Sequence, residues 1–190
     1  MNKEEQGKLV KACKKNDRNA MEKIYNSFMP RMLAVSLRYC NNRSDAEDIV
    51  QEAFIKVFKN IKKYKDKGTL GSWIERIVVN CAIDHWHQRK KRVLIDNSEL
   101  IEENETSELN EIEQQELAKQ LSTEKLRTLI NDLPEQYRYV LNLYAIEGYS
   151  HKEIGKILKI KESTSRSNYT RARKKLLENM RALGIYKNNC

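Results

Sequence analysis

The sequence is poor in the residues that punctuate β structure: only 2 prolines and 6 glycines occur in 190 residues. Aromatics make up 7%, and β-branched runs bounded by turn residues, from which strands are read, are scarce. That leaves an all-α fold. No apolar stretch approaches the roughly 18 residues needed to cross a bilayer, and the opening MNKEEQGK lacks an apolar signal region. The protein is expected to be soluble and cytoplasmic, without membrane insertion. Its four cysteines, Cys13, Cys40, Cys81 and Cys190, are too widely spaced for a zinc knuckle or a CxxC redox pair and read as free thiols in a reducing compartment. Histidine is scarce too. His85 and His87 flank Trp86, but two residues apart on a helix do not face one another, and His151 is remote. With no metal site, no nucleophile and base in reach, and no phosphate-cradling glycine loop, an enzyme is not expected.

What the chain has in abundance is charge: 33% of residues, 36 Lys plus Arg against 27 Asp plus Glu, a net +9. The charge is uneven. Nine acidic residues lie between Asp96 and Glu116, and no Lys or Arg occurs from Val93 to Ala118. Outside that segment 36 basic residues stand against 18 acidic ones, a net +18. An acidic stretch with few aromatics cannot repay the entropy of ordering and reads as a linker. The chain thus divides into two small helical domains, over residues 1–92 and 122–190, joined by an acidic flexible linker over 93–121.

The first domain shows four helical segments. Leu9, Val10 and Cys13 share one face, and Asn16 and Asp17 supply a break and the next N-cap. Met21, Ile24, Tyr25 and Phe28 recur at helical spacing until Pro30, after which Met32, Leu33, Leu37 and Tyr39 continue a face. Ser44 with Glu47, and Ser72 with Glu75, have the spacing of capping boxes. The first opens the stripe Ala46, Ile49, Val50, Ala53, Phe54, Val57, Phe58; the second opens a helix bearing Trp73, Ile77, Val78, Cys81 and Trp86. Six lysines crowd Lys56 to Lys67, and a second basic run, Arg89 to Arg92, ends this domain. Tyr64, Trp73 and Trp86 lie among these cations, a combination that suits unstacked single-stranded bases.

In the second domain Ser122 or Thr123 caps a short helix with Leu126, Leu129 and Ile130. Pro134 opens another, carrying Tyr137, Val140, Leu141 and Tyr144, which Gly148 can end in a left-handed turn. Ser150 with Glu153 is a third capping box, Ile154, Ile157 and Leu158 face inward, and Gly155 permits a close crossing. A break near Lys159 and a cap at Ser163 or Thr164 then give helix-turn-helix spacing. Lys152 to Lys175 carries nine basic and two acidic residues, as a helix entering a major groove would.

These stretches carry a resemblance. Asp45-Ala46-Glu47-Asp48-Ile49-Val50-Gln51-Glu52-Ala53-Phe54, the run from Trp73 through Ile77 and Asn80 to Asp84, Leu133-Pro134-Glu135-Gln136-Tyr137-Arg138, and Glu147 to Ile154 followed by Arg171 to Leu176 stand in the order seen in bacterial RNA polymerase sigma factors. The chain resembles the extracytoplasmic-function (ECF) type of the sigma-70 family, with regions 2 and 4 alone. The GYSHKEI wording is similar to Bacteroidetes members.

The resemblance implies a monomer without cofactors that binds core polymerase, through the β′ clamp helices and the β flap, and promoter DNA, and that can be held by an anti-sigma factor. Asp45, Asp48, Gln51, Glu52 and Phe54 would contact polymerase. Tyr64, Lys65, Asp66, Lys67, Gly68, Thr69, Trp73, Arg76, Asn80 and Asp84 would hold the single-stranded −10 element, with one base flipped out. Lys161, Ser163, Thr164, Arg166, Ser167, Thr170, Arg171 and Lys174 would read the −35 duplex. Lys159 stands where this motif has Gly; a non-Gly residue in a left-handed turn costs about 1 kcal/mol, so a differently formed turn is expected.

Elements about 25 bp apart lie about 85 Å apart at ~3.4 Å per pair. Val93 to Leu121, 29 residues, reach about 100 Å extended but about 44 Å as a helix, so the linker must be mostly extended when both domains engage. The alternative function, a two-domain helix-turn-helix regulator acting without polymerase, would need neither the DAED helix nor an aromatic base pocket.

Overall fold

The computed structural model describes residues 3–65, 68–96 and 123–185. Asp66, Lys67, Cys190 and the linker from residue 97 onward lie outside the described residues. The chain forms two compact units, Met1–Ile95 and Asp96–Cys190. Among the described residues there are eight α-helices and no strand.

In the first unit α1 (Lys3–Cys13) lies on α2 (Arg18–Ser36). Asn16 takes a left-handed φ of 63° between them, and Asp17 caps α2 by accepting from the Ala20 N–H at 3.1 Å. The helix runs through Pro30, and the apolar face continues past it. Pro30 and Asn26, the residue whose carbonyl loses its donor, are both exposed, while Ile24, Phe28, Met32 and Val35 bury a face spanning the proline. Packing on both sides outweighs the local penalty of about 3 kcal/mol.

Helix α3 (Arg43–Asn60) is capped by Asn42, whose Oδ1 accepts from the Asp45 N–H at 2.8 Å, not by a Ser44–Glu47 box; Glu47 instead accepts from Arg43 at 2.7 Å. A 3₁₀ turn, Ile61–Lys63, follows. Helix α4 (Leu70–Asp96) passes the position where the sequence suggested the linker would begin. Its N-terminal cap is Thr69, whose Oγ1 accepts from the Ser72 N–H at 3.1 Å; Ser72 and Glu75 form no box. Glu75 ties α4 to α2 and the turn after it by ion pairs with Arg31 at 2.6 Å and Arg38 at 3.3 Å. Gly71 lets α4 start against α2, because a Cβ there would stand 3.2 Å from the Phe28 ring. Ile49, Val57, Ile74, Val78, Cys81 and Trp86 fill the interior of this unit.

The second unit comprises α5 (Thr123–Asn131), α6 (Glu135–Leu141), α7 (His151–Leu158) and α8 (Glu162–Ala182). Leu133, Leu141 and Ala172 form a buried cluster with Ile130, Tyr137, Tyr169 and Leu176 around it. A π-type turn, Asn142–Ile146, extends α6, and Gly148 at φ 76° ends it as expected. Ser150 and Glu153 make the expected capping box of α7: each backbone N–H donates to the other's side chain.

Lys159 adopts φ 55°, ψ 42°, a left-handed conformation, so the helix-turn-helix turn is made with lysine in the usual glycine geometry, contrary to the expected rearrangement. The Ile160 N–H donates across it to the Gly155 carbonyl at 2.9 Å. The reason is crowding at Gly155, where a Cβ would meet the Ile160 carbonyl oxygen at 2.9 Å. With glycine there, the turn closes tightly enough to secure that bond. Helix α8 begins at Glu162 after Lys161 with no side-chain cap, so Ser163 and Thr164 lie in its first turn and do not cap it. No helix among the described residues is long and apolar enough to cross a membrane.

Candidate polymerase and nucleic-acid interfaces

Helix α3 sorts its residues cleanly. Ala46, Ile49, Val50, Ala53, Phe54 and Val57 are buried, while Asp48, Gln51 and Glu52 are exposed. Phe54 is 2% exposed, its ring 4.8 Å from that of Tyr25 and 5.9 Å from that of Phe58, so its expected contact with polymerase is replaced by a place in the core. The apolar residue on the outer face is Ile55, 54% exposed, which continues the Asp48, Gln51, Glu52 row by one helical step. Asp45 is half-buried, 3.7 Å from the Arg89 guanidinium of α4.

The loop before α4 is pinned through Tyr64. Its hydroxyl donates to the Gly68 carbonyl at 2.8 Å, its own carbonyl accepts from Lys14 at 3.1 Å, and its ring lies 5.2 Å from that of Trp73. Tyr64 is 9% exposed and Trp73 half-buried. Trp86 is a core residue, with Lys90 over its ring at 5.1 Å, and offers no platform to a base. Lys65, Gly68 and Thr69 are exposed. Between α1 and this loop runs a groove of about 610 Å³ with Lys11, Lys14 and Lys65 on its walls. Arg76, Asn80 and Asp84 stand four residues apart on α4 and are all exposed, a single row of donors and acceptors.

Asp84 does not stand alone in that row. The Lys56 ammonium of α3 lies 3.1 Å from Asp84 Oδ2 and 2.9 Å from Glu52 Oε1. Burial opposes the charge on Lys56, but its hydrogen bonds to Glu52 and Asp84 outweigh that and raise its pKa. Beneath it Cys81 is fully buried, and burial is the main cause that pushes its thiol pKa up. Cys13 is raised by the same cause, and Cys13, Cys40 and Cys81 are free thiols. Among the described residues no cluster of His, Cys, Asp and Glu could hold a metal ion.

Helix α8 turns Ser165, Asn168 and Ala172 inward and leaves Lys161, Ser163, Arg166 and Lys174 exposed. Thr164, Ser167, Thr170 and Arg171 are half-buried along the edge of that face. The Ser167 and Thr170 hydroxyls donate to their own helix, to the Thr164 and Arg166 carbonyls. Arg166 pairs with Glu162 at 2.6 Å, so the outward face begins with an acceptor as well as a donor. Glu162 was missed in the sequence, though its spacing of four from Arg166 is a helical ion-pair signal.

His151 also carried no sequence signal. Its Nδ1 lies 3.0 Å from Ser165 Oγ, Tyr144 stacks on it at 4.3 Å and Tyr169 leans in at 5.8 Å. Burial, and then the charge of Arg166, push its pKa below the ordinary value. This cluster joins α7 to α8 and fixes the angle at which α8 presents its outer face.

Two family models match the chain: Sigma-70 region 2 over residues 24–92 and Sigma-70, region 4 over residues 123–176. The chain is 30% identical to the ECF RNA polymerase sigma factor SigW of Bacillus subtilis over 181 residues, 93% of this chain and 97% of that one. It is 29% identical to the RNA polymerase sigma-H factor of Pseudomonas aeruginosa over 178 residues, 90% and 91% of the two chains. Among solved structures, the sigma factor RpoE in complex with the anti-sigma factor NepR from Bartonella quintana aligns with a TM-score of 0.49 and 19% identity, over 84% of this chain and 96% of that one.

Proposed function

The chain belongs to the ECF RNA polymerase sigma factors, and from that premise we propose how its residues divide the work of promoter recognition and transcription initiation. The outer face of α3, with Asp48, Gln51, Glu52 and the exposed Ile55, docks on the β′ clamp helices. Asp45 orients the neighbouring Arg89 at its edge. An exposed apolar side chain flanked by polar and charged residues has the composition of an interface centre with a polar rim.

The row Arg76, Asn80, Asp84 with the Tyr64–Thr69 loop holds the unstacked −10 strand, the lysines supplying phosphate contacts. Helix α8 lays Lys161, Ser163, Arg166 and Lys174 into the −35 major groove, with Thr164, Ser167, Thr170 and Arg171 along its edge. Arginine matches guanine edges, and lysine and the hydroxyls match phosphates. An anti-sigma partner would act by covering these faces.

The observation that carries this reading is that α3 keeps an acidic, Ile55-centred face open while its opposite side is fully buried. A regulator working without polymerase has no use for it. Run-off transcription from a promoter selected out of a random library tests the proposal: initiation is expected only when both core polymerase and this chain are present. Duplex binding without polymerase-dependent initiation would refute it.

A further inference from the structure

Two acids assigned above to different partners share one cation. Glu52 belongs to the docking face of α3 and Asp84 to the strand face of α4, and the Lys56 ammonium touches both, at 2.9 and 3.1 Å. The groups facing that ammonium are these two carboxylates and the buried Cys81 thiol one turn before Asp84. An isolated exposed ion pair contributes little to stability, so a pair that served only to join α3 and α4 would be nearly silent. Its place gives it more to do. Asp84 shares its row with Arg76, where backbone phosphates must pass, and a bare carboxylate there repels them.

We propose that Lys56 is a positioning residue for −10 strand capture: it neutralises and orients Asp84 while holding Glu52, so that polymerase docking and strand capture draw on the same ammonium. The inference rests on the assignment of α3 to polymerase and α4 to the strand. When a basic group on the clamp takes Glu52, Lys56 is left to Asp84 alone and the strand face becomes less repulsive. By linkage, strand binding then favours docking to the same degree.

The test uses holoenzyme reconstituted from core polymerase and the full chain, with a fluorescein-labelled single strand selected from a random pool by wild-type holoenzyme. Saturating core removes any docking defect from the readout. Lys56→Met is expected to weaken strand binding about tenfold, within the range of coupled neighbours. Asp84→Asn, which needs no neutralising partner, should lose less, and the double variant should bind no more weakly than Lys56→Met alone. Lys56→Arg should restore affinity to within about threefold, since it keeps the charge in place. Both Lys56→Met and Asp84→Asn should melt with the wild type, as the loss of an exposed pair allows, so that weaker strand binding is not a loss of fold; a merely structural lysine would leave strand binding unchanged as well.

Lys56→Met binding within about twofold of wild type, or a double-variant loss equal to the product of the single losses, would overturn the proposal while leaving the domain assignments standing. Failure of the wild-type chain to bind core, or of its holoenzyme to select any strand, would bring down the assignments and the proposal together.

Discussion

Gly155→Ala is the substitution whose effect can be worked most fully from the structure. In an isolated helix the change should help, by about 1 kcal/mol of helix propensity. Here the new Cβ would stand 2.9 Å from the Ile160 carbonyl oxygen and 3.5 Å from the Glu162 nitrogen. Both are backbone atoms at the helix-turn-helix crossing and cannot swing aside. Overpacking of this kind costs about 1–3 kcal/mol, and opening the turn also weakens the Ile160 N–H bond to Gly155, worth about 1 kcal/mol. The net expectation is a loss of about 1–2 kcal/mol, confined to the second unit. The chain offers a convenient way to see that confinement, because its only tryptophans, Trp73 and Trp86, lie in the first unit. In urea unfolding the tryptophan fluorescence transition should stay where it is. The far-UV circular dichroism component from the second unit should move to lower urea by about 0.3–2 M, given slopes of about 1–3 kcal/mol/M. A −35 duplex should bind more weakly as well, since α8 is re-aimed. A circular dichroism midpoint that stays put or rises would refute the claim that the crossing has no room for a methyl group.

The same turn yields the opposite expectation for Lys159→Gly. Relieving a left-handed non-Gly residue at φ 55° should raise the second unit's stability by up to about 1 kcal/mol, against the entropic cost of glycine, read by the same circular dichroism component. For His151, folding lowers the pKa below 6.5, so the unfolded state binds the proton more readily and stability must fall as pH drops below that value. Urea midpoints of the second unit should decline between pH 7 and pH 5 and decline less in His151→Gln; equal slopes would show that another group is responsible. Ile55→Asp, at a half-exposed site, should change stability by no more than about 0.5 kcal/mol. It should also weaken core polymerase binding about fivefold through lost apolar burial of about 1 kcal/mol, measured by fluorescence anisotropy with labelled chain; unchanged affinity would remove Ile55 from the docking face.

Local signals account for the parts of the fold that were legible from the chain. Asp17 as a cap, the Ser150–Glu153 box and Gly148 as a left-handed stop depend on residues within a few positions of one another, and all three form as read. The boxes at Ser44 and Ser72 had the same spacing and do not form. A Ser-x-x-Glu pattern states which groups could pair, whereas the residue that caps is the one standing at the helix's actual first turn. Asn42 and Thr69 hold those places, and Glu75 is drawn off to Arg31 on α2 and Arg38 in the turn after it.

Composition and periodicity were enough to establish an all-α chain with two cationic units and a helix-turn-helix, because these follow from residue type and short spacing, and the resemblance pointed to the outer row of α3. Which of two adjacent apolar residues faces out was settled by packing: Phe54 reaches Tyr25 and Phe58, and Ile55 is left to solvent. Packing also joins Lys56 to Asp84 across 28 positions and His151 to Ser165 across 14. Ion pairs and ring stacks between helices depend on how those helices cross, and the crossing follows from the whole buried interior and no single stretch of chain.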